Sequence, residues 1–177
     1  MRASVRWWLC AAFLPVVASA TTIVPHTLAQ RAQASDRVAL VQVLSRIVVG
    51  DPQHLKTLVE VAVGDDIRGT GASHLTIVQI GGSKDGYEMH IPGDAVFDVG
   101  EVSLVFLRCD QARCALVAMG EGKVQVNGET AIVHDLKTNE FVRTPLASVI
   151  AELRQVPSVP GTPGPGGGVI VKTRSTP

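Results

Sequence analysis

The chain has 177 residues, and its sixteen lysines and arginines are matched by sixteen aspartates and glutamates. This balance excludes the clustered positive field that a nucleic-acid partner or an acidic membrane surface requires. The length suits a short leader followed by one domain, with room for one real core but hardly two.

At the N-terminus, Arg2 and Arg6 precede an apolar run from Trp7 to Val17 that only Pro15 interrupts. Ala18-Ser19-Ala20 then supplies the small residues a signal peptidase reads, so residues 1–20 are expected to be a secretory signal cleaved before Thr21. A transmembrane anchor needs about 20 apolar residues, more than this run offers. Lipidation needs a cysteine just after the run, and Cys10 lies inside it. No later stretch is long enough to span a bilayer, and the product is expected in the periplasm or outside the cell.

In the processed chain, residues 21–155 are expected to form a single β-rich domain. Thr27 to Ser35 reads as a short helix with Thr27 as N-cap. Arg37 to Val49 is rich in Val, Leu and Ile and reads as a strand. Asp51-Pro52 marks a turn. Leu55, Thr57, Val59, Val61 and Val63 alternate with Lys56 and Glu60, the pattern of a half-buried strand. Gly64 to Ser73 reads as a loop. His74 to Ile80 and Tyr87 to Ile91 are the next strands, joined by a Gly81–Gly86 hairpin loop. Pro92-Gly93 is a turn and Val96 to Asp98 a short edge segment. Val102 to Leu107 is apolar at nearly every position, as for a strand buried on both faces.

Cys109 and Cys114 flank four residues between that strand and the next, Ala115 to Met119. An exported address allows them to oxidise, and a disulfide would pin this hairpin across its open end. The redox spacing of two intervening residues is absent, and no second cysteine pair completes a zinc site. Asn127-Gly128 between Lys123–Val126 and Thr130–His134 signals a hairpin with a type I′ turn. Thr144 as N-cap and Pro145 at the first helical position open an amphipathic helix whose stripe is Leu146, Val149, Ile150 and Leu153. Residues 156–177 form a Pro/Gly-rich tail expected to be flexible; Val169 to Lys172 within it is β-prone. The sum is a mainly β fold, a small antiparallel OB-like barrel or sandwich with a C-terminal amphipathic helix covering one mouth or one face.

The order of several motifs is also familiar. Ser35-Asp36-Arg37-Val38-Ala39-Leu40-Val41-Gln42-Val43, Val59-Glu60-Val61 with Ile67-Arg68-Gly69, Gly81-Gly82, Ile91-Pro92-Gly93, Phe97-Asp98-Val99-Gly100-Glu101, Leu104-Val105-Phe106-Leu107 and Gly120-Glu121-Gly122-Lys123 together resemble a group of exported bacterial β-barrel domains. That group is in turn remotely similar to the netrin-like, OB-fold domains of metalloproteinase inhibitors. The resemblance covers most of Ser35 to Val126 and implies a fold. It does not carry over the inhibitory chemistry, which uses an N-terminal cysteine where this chain has Thr21-Thr22-Ile23. Val41 and Ser35 also depart from the group's glycine and alanine.

Chemical motifs are few. Gly81-Gly82-Ser83-Lys84-Asp85-Gly86 lacks the ending of a phosphate loop and no helix follows it. His26, His54, His74, His90 and His134 are not at metal-ligand spacing, although His74 and His90 would meet if their strands were neighbours. Asp65, Asp66, Asp85 and Asp94 do not follow EF-hand spacing, and no Gly-x-Ser-x-Gly elbow surrounds Ser73, Ser83 or Ser103. No catalytic, cofactor or metal residue is assigned, and no cofactor is expected. The expectation is a non-catalytic binding domain for a protein or envelope component, engaged through Gly64–Ser73 and Gly81–Gly86, with Asp85, Tyr87 and Glu101 as candidate ligand-face residues. The alternatives are a hydrolase or metal-dependent enzyme that brings together two or more of His74, His90, His134, Glu101 and Asp94, and a structural envelope protein.

Overall fold

The computed structural model describes residues 25–110 and 113–157. The expected signal sequence, residues 1–20, and the Val169–Lys172 segment of the tail lie outside these residues. Helix α1 (Leu28–Gln33) begins as expected at Thr27. The Gln30 backbone N–H donates to the Thr27 hydroxyl, and the Thr27 N–H donates back to the Gln30 side chain. This reciprocal capping box satisfies two otherwise orphan donors.

Among the described residues ten strands follow: β1 (Arg37–Val49), β2 (Lys56–Arg68), β3 (His74–Ile80), β4 (Gly82–Lys84), β5 (Tyr87–Met89), β6 (Val102–Asp110), β7 (Arg113–Leu116), β8 (Lys123–Asn127), β9 (Thr130–Asp135) and β10 (Glu140–Pro145), and then helix α2 (Leu146–Gln155). β1 pairs with β2, β2 with β3, β3 with β7, β7 with β6, and β6 returns to β1. The result is a closed five-stranded barrel of OB-like order. Its seal is not antiparallel throughout: β3 meets β7 in parallel, with Thr76 opposite Arg113 and Ile77 opposite Cys114.

The expectation of a single core is corrected. β6 pairs along Ser103–Val105 with β8 as well as with β1, so the sheet continues past the barrel into the meander β8-β9-β10. Alternation along β6 then fills two cores from one wall. Val105 and Leu107 point into the barrel with Ala39, Val41, Val43, Val59, Val61, Leu75 and Ile77. Leu104 and Phe106 point outward, where Val124, Val126, Ala131, Leu28, Ala32, Val149 and Leu153 meet them. The α2 stripe therefore covers a face of the extended sheet and leaves the barrel mouth alone.

Several boundaries differ from expectation for physical reasons. β2 runs on through the expected loop as far as Arg68, because β1 is long enough to pair with it, Val38 lying opposite Arg68. Gly64 and Ile67 are both skipped in that register, two bulges that shift the facing of this stretch, and Ile67 joins the outer core. Half of the Gly81–Gly86 loop is strand. β4 and β5 are joined by Asp85-Gly86, both at positive φ (53° and 82°), as a type I′ turn requires. Residues 96–98 form no edge strand; the carbonyls of Val96 and Phe97 bond to side chains instead, and Phe97 is 1% exposed inside the barrel. β7 stops at Leu116, and Met119 belongs to a 3-10 turn, Met119–Gly122. The Cys109–Cys114 disulfide joins directly opposed residues one pair from the turn, at the closed end of the hairpin and not its open end. Asn127 pairs with Thr130, so the two-residue turn is Gly128-Glu129, shifted by one from expectation. Thr144 is not a cap: it lies in β10 opposite Ala131, and α2 starts after Pro145.

Candidate functional site

A cleft lies among the described residues at the end of the barrel where β1, β2 and β3 outrun their partners. Its volume is about 320 Å³, and it lies between the barrel mouth, the β4–β5 ribbon and the segment from His90 to Phe97. Arg46, Val48, Thr57 and Gln79 line its floor. Val48 and Arg46 lie opposite Thr57 and Val59, so the floor continues the inward face of the barrel. The Arg46 position depends on a third bulge between β1 and β2: the register skips Leu44, so Arg46 and not Ser45 shares the inward face with Val43.

The far wall is fastened by side chains. Gln79 Nε2 donates to Asp94 Oδ1 at 3.0 Å and to the Ala95 carbonyl at 2.8 Å. The Ala95 N–H donates to the same Asp94 oxygen at 2.9 Å. Arg46 donates to the Phe97 carbonyl at 3.2 Å, leaving most of its fork of N–H groups for other acceptors. Lys123 reaches in from β8 and closes the clasp. Its ammonium donates to the Val96 carbonyl, lies 4.7 Å from the Phe97 ring centre and pairs with Glu101 at 2.5 Å. Both charged side chains are largely enclosed, at 12% and 20% exposure. The near wall is fixed by Thr57, whose hydroxyl donates to the Gly81 carbonyl at 2.8 Å. Gly82 lies against Val48 and Thr57, where a Cβ would come within 2.9 Å of their side chains. The ribbon is also tied to the β1–β2 turn by Lys84, whose ammonium donates to the Gly50 carbonyl. In that turn the Asp51 carboxyl is held below its ordinary pKa by the Gln53 backbone N–H and by the His54 side chain.

Polar Ser83, Glu88, His90 and Asp94 share the cleft with apolar Ile80, Met89, Ile91 and Val96. His90 and Asp94 are thus brought to one cleft, as an enzyme would need. The other members of that set are elsewhere. Glu101 is occupied by Lys123 and accepts from Ser103. His74 opens β3 at the far end of that strand from the cleft, so it does not meet His90. His134 stacks on Phe141 at 5.0 Å. Ser83, His90 and Asp94 are joined by no hydrogen bond to one another; Asp94 spends its carboxylate on Gln79 and Ala95. Among the described residues no group of three or more His, Cys, Asp or Glu is arranged to hold a metal. Asp65 and Asp66 bond instead to Arg154 and Arg37.

Of the candidate ligand-face residues, Asp85 sits at the ribbon tip and Tyr87 is exposed on the ribbon opposite Lys84; neither they nor Glu101 line the cleft. Gly64–Ser73 is remote from it, whereas Gly81, Gly82 and Ser83 border it. Sequence reasoning missed Arg46, Gln79 and Lys123. Gln79 had a signal: it continues the inward positions Leu75 and Ile77, where a polar side chain needs a partner. No helix among the described residues is long and apolar enough to cross a membrane. No family model matches the chain, and no curated protein matches it.

Proposed function

We propose that this chain is an exported, non-catalytic binding domain: residues 1–20 direct export and are removed before Thr21, and the folded part takes an amphipathic ligand in the barrel-mouth cleft. The ligand is a segment of a protein or an envelope component small enough to enter about 320 Å³. The observation that carries this reading is the composition and rigidity of that cleft. Its walls are fixed by Gln79, Thr57 and Lys123, while the Arg46 guanidinium, the His90 imidazole and the apolar Ile80, Ile91 and Val96 line it. A preformed pocket with an apolar body and a few placed polar groups is the usual form of a ligand site. OB-like barrels bind along one face and the adjoining loops. The outer face of β2 and β3 carries Lys56, Leu58, Glu60, Thr76 and Val78, with no aromatic platform for stacked bases, which favours a partner other than nucleic acid. Kinship with the exported domains resembled from Ser35 to Val126 is part of the same proposal.

Amide mapping by NMR tests the site, using a library of di- and tripeptides and soluble envelope saccharides. Shifts are expected at Gln79–Gly82, Glu88–Ile91 and Val96, and Ser83→Trp, which fills the cleft, should abolish them. Binding that survives Ser83→Trp, or maps elsewhere, removes the assignment. The export claim rests on the intact mass of protein recovered from outside the cytoplasm, which should begin at Thr21. A second reading, a hydrolase, is favoured by Ser83, His90 and Asp94 lining one cleft. It requires ester or amide turnover that is lost in both Ser83→Ala and His90→Gln.

A further inference from the structure

The last strand offers a second surface, independent of the cleft. Among the described residues, β10 pairs with β9 on one side and ends the sheet on the other. It carries Phe141 at 75% exposure and Val142 at 42%. An apolar edge of this kind invites another strand unless something covers it.

The register shows which backbone groups are free. The Leu146 N–H donates to the Glu129 carbonyl at 2.8 Å, one step beyond the Pro145–Thr130 pair. Opposed residues in an antiparallel ladder alternate between bonded and non-bonded pairs. Thr144, Val142 and Glu140 therefore bond to β9, and the N–H and C=O groups of Phe141 and Arg143 point to the open edge. Pro145, also in the outward phase, has no N–H to offer and limits the edge at that end.

We infer that this edge pairs with β10 of a second copy of the chain, antiparallel, about a two-fold axis at Val142. In this register Phe141 lies opposite Arg143 of the second copy, and the same pair recurs across the axis. These are the residues whose backbone groups point outward, so each pair exchanges two hydrogen bonds and the strand junction gains four. Each guanidinium comes beside an aromatic ring, an attractive arrangement. Val142 meets Val142 of the second copy, and Glu140 meets Thr144, so no like charges are opposed. The strand is thus complementary to itself in charge and in hydrogen-bond phase, which selects a second copy over an unrelated strand.

The test is the mass of the purified chain from Thr21 onward, measured by light scattering over a dilution series, alongside three variants. Wild type should be a dimer that dissociates on dilution. Arg143→Pro removes an outward N–H while leaving the β9 ladder intact, and should raise the dissociation constant about a hundred-fold by losing two of the four bonds and both ring contacts. Val142→Cys should cross-link into a covalent dimer in air, and Thr144→Cys should not. The cysteine pair also decides the matter if Arg143→Pro fails to fold by circular dichroism. A monomer at every concentration overturns the inference, as does a dimer indifferent to Arg143→Pro or uncrosslinked at Val142→Cys. Loss of the dimer on removing residues 158–177 overturns it too, because the tail would then be the pairing strand.

Discussion

The two sides of β6 solve the same problem in different ways. Inside the barrel, valines of β1 and β2 are the largest group in the core, which is closed by Phe97, an aromatic ring delivered by a loop. Outside, Phe106 and Leu104 are covered by two helices and a meander. The outer core is sealed by regular elements whose backbones bond to themselves. The inner core is sealed by a segment whose carbonyls depend on Arg46, Gln79 and Lys123. A lid held by side chains can carry an open cleft beside it, whereas a packed helix leaves no such space. The proposed ligand cleft therefore lies on the barrel side, and stability can be concentrated on the helix side.

The largest effects should come from the two aromatic anchors. Phe106→Ala and Phe97→Ala each remove a fully buried ring and should cost about 3–5 kcal/mol in denaturant unfolding. They separate in hydrogen exchange. Phe97→Ala should speed exchange at residues 94–101 beyond the global loss, while Phe106→Ala should lower protection across both cores alike. Equal patterns in the two variants would erase the distinction between a loop-sealed and a helix-sealed core. Lys123→Met leaves the Glu101 carboxylate enclosed without its cation and should cost about 3 kcal/mol. It should also loosen the cleft wall, read as a loss of amide protection at Val96 and Phe97.

How much of this was legible beforehand depends on facing. β1, β3 and α1 are readable because their alternation or capping is local; Arg37–Val49, His74–Ile80 and the Thr27 cap all stand. The mainly β barrel with its C-terminal helix follows from those elements and the turn signals between them. The cleft was not readable in the same way. Plain alternation from Val41 and Val43 puts Arg46 on the solvent side, and only the skipped Leu44 turns it inward. A bulge is set by pairing with a partner strand distant in sequence, so it leaves no periodic trace. The second core was missed because an all-apolar strand reads the same whether one core or two lie against it. β10 was missed because its short run carries charge at Glu140 and Arg143, as edge strands do.

A middle-sized effect should fall between the two cores. The Cys109–Cys114 bond closes a very short loop, so Cys109→Ser with Cys114→Ser should cost about 2 kcal/mol. Cys114 is buried in the barrel core, beside the parallel β3–β7 seal that is only two pairs long. The double variant should therefore raise exchange at Thr76 and Ile77 while leaving α2 protected. If α2 loosened first, the barrel seam would not be the weak closure that its pairing implies.

The smallest effect should separate the two sides by pH. The Asp51 carboxyl sits in the exposed β1–β2 turn, on the ribbon side of the barrel, and the Gln53 N–H and then the His54 side chain lower its pKa. A carboxyl lowered in the folded state contributes stability that is fully present above its unfolded value, about 3.9 for aspartate. That contribution is lost as pH falls through the lower folded value. An NMR titration should place the Asp51 midpoint below about 3.9. Gln53→Pro, which deletes the backbone donor, should return it toward that value, and His54→Ala should return it by less. Because Lys84 links this turn to the ribbon through Gly50, protonating Asp51 should speed amide exchange in Gly82–Lys84 before it does so in α2. A midpoint unmoved by either substitution would mean that the turn does not hold the carboxylate, and acid would then give no means of loosening the cleft side alone.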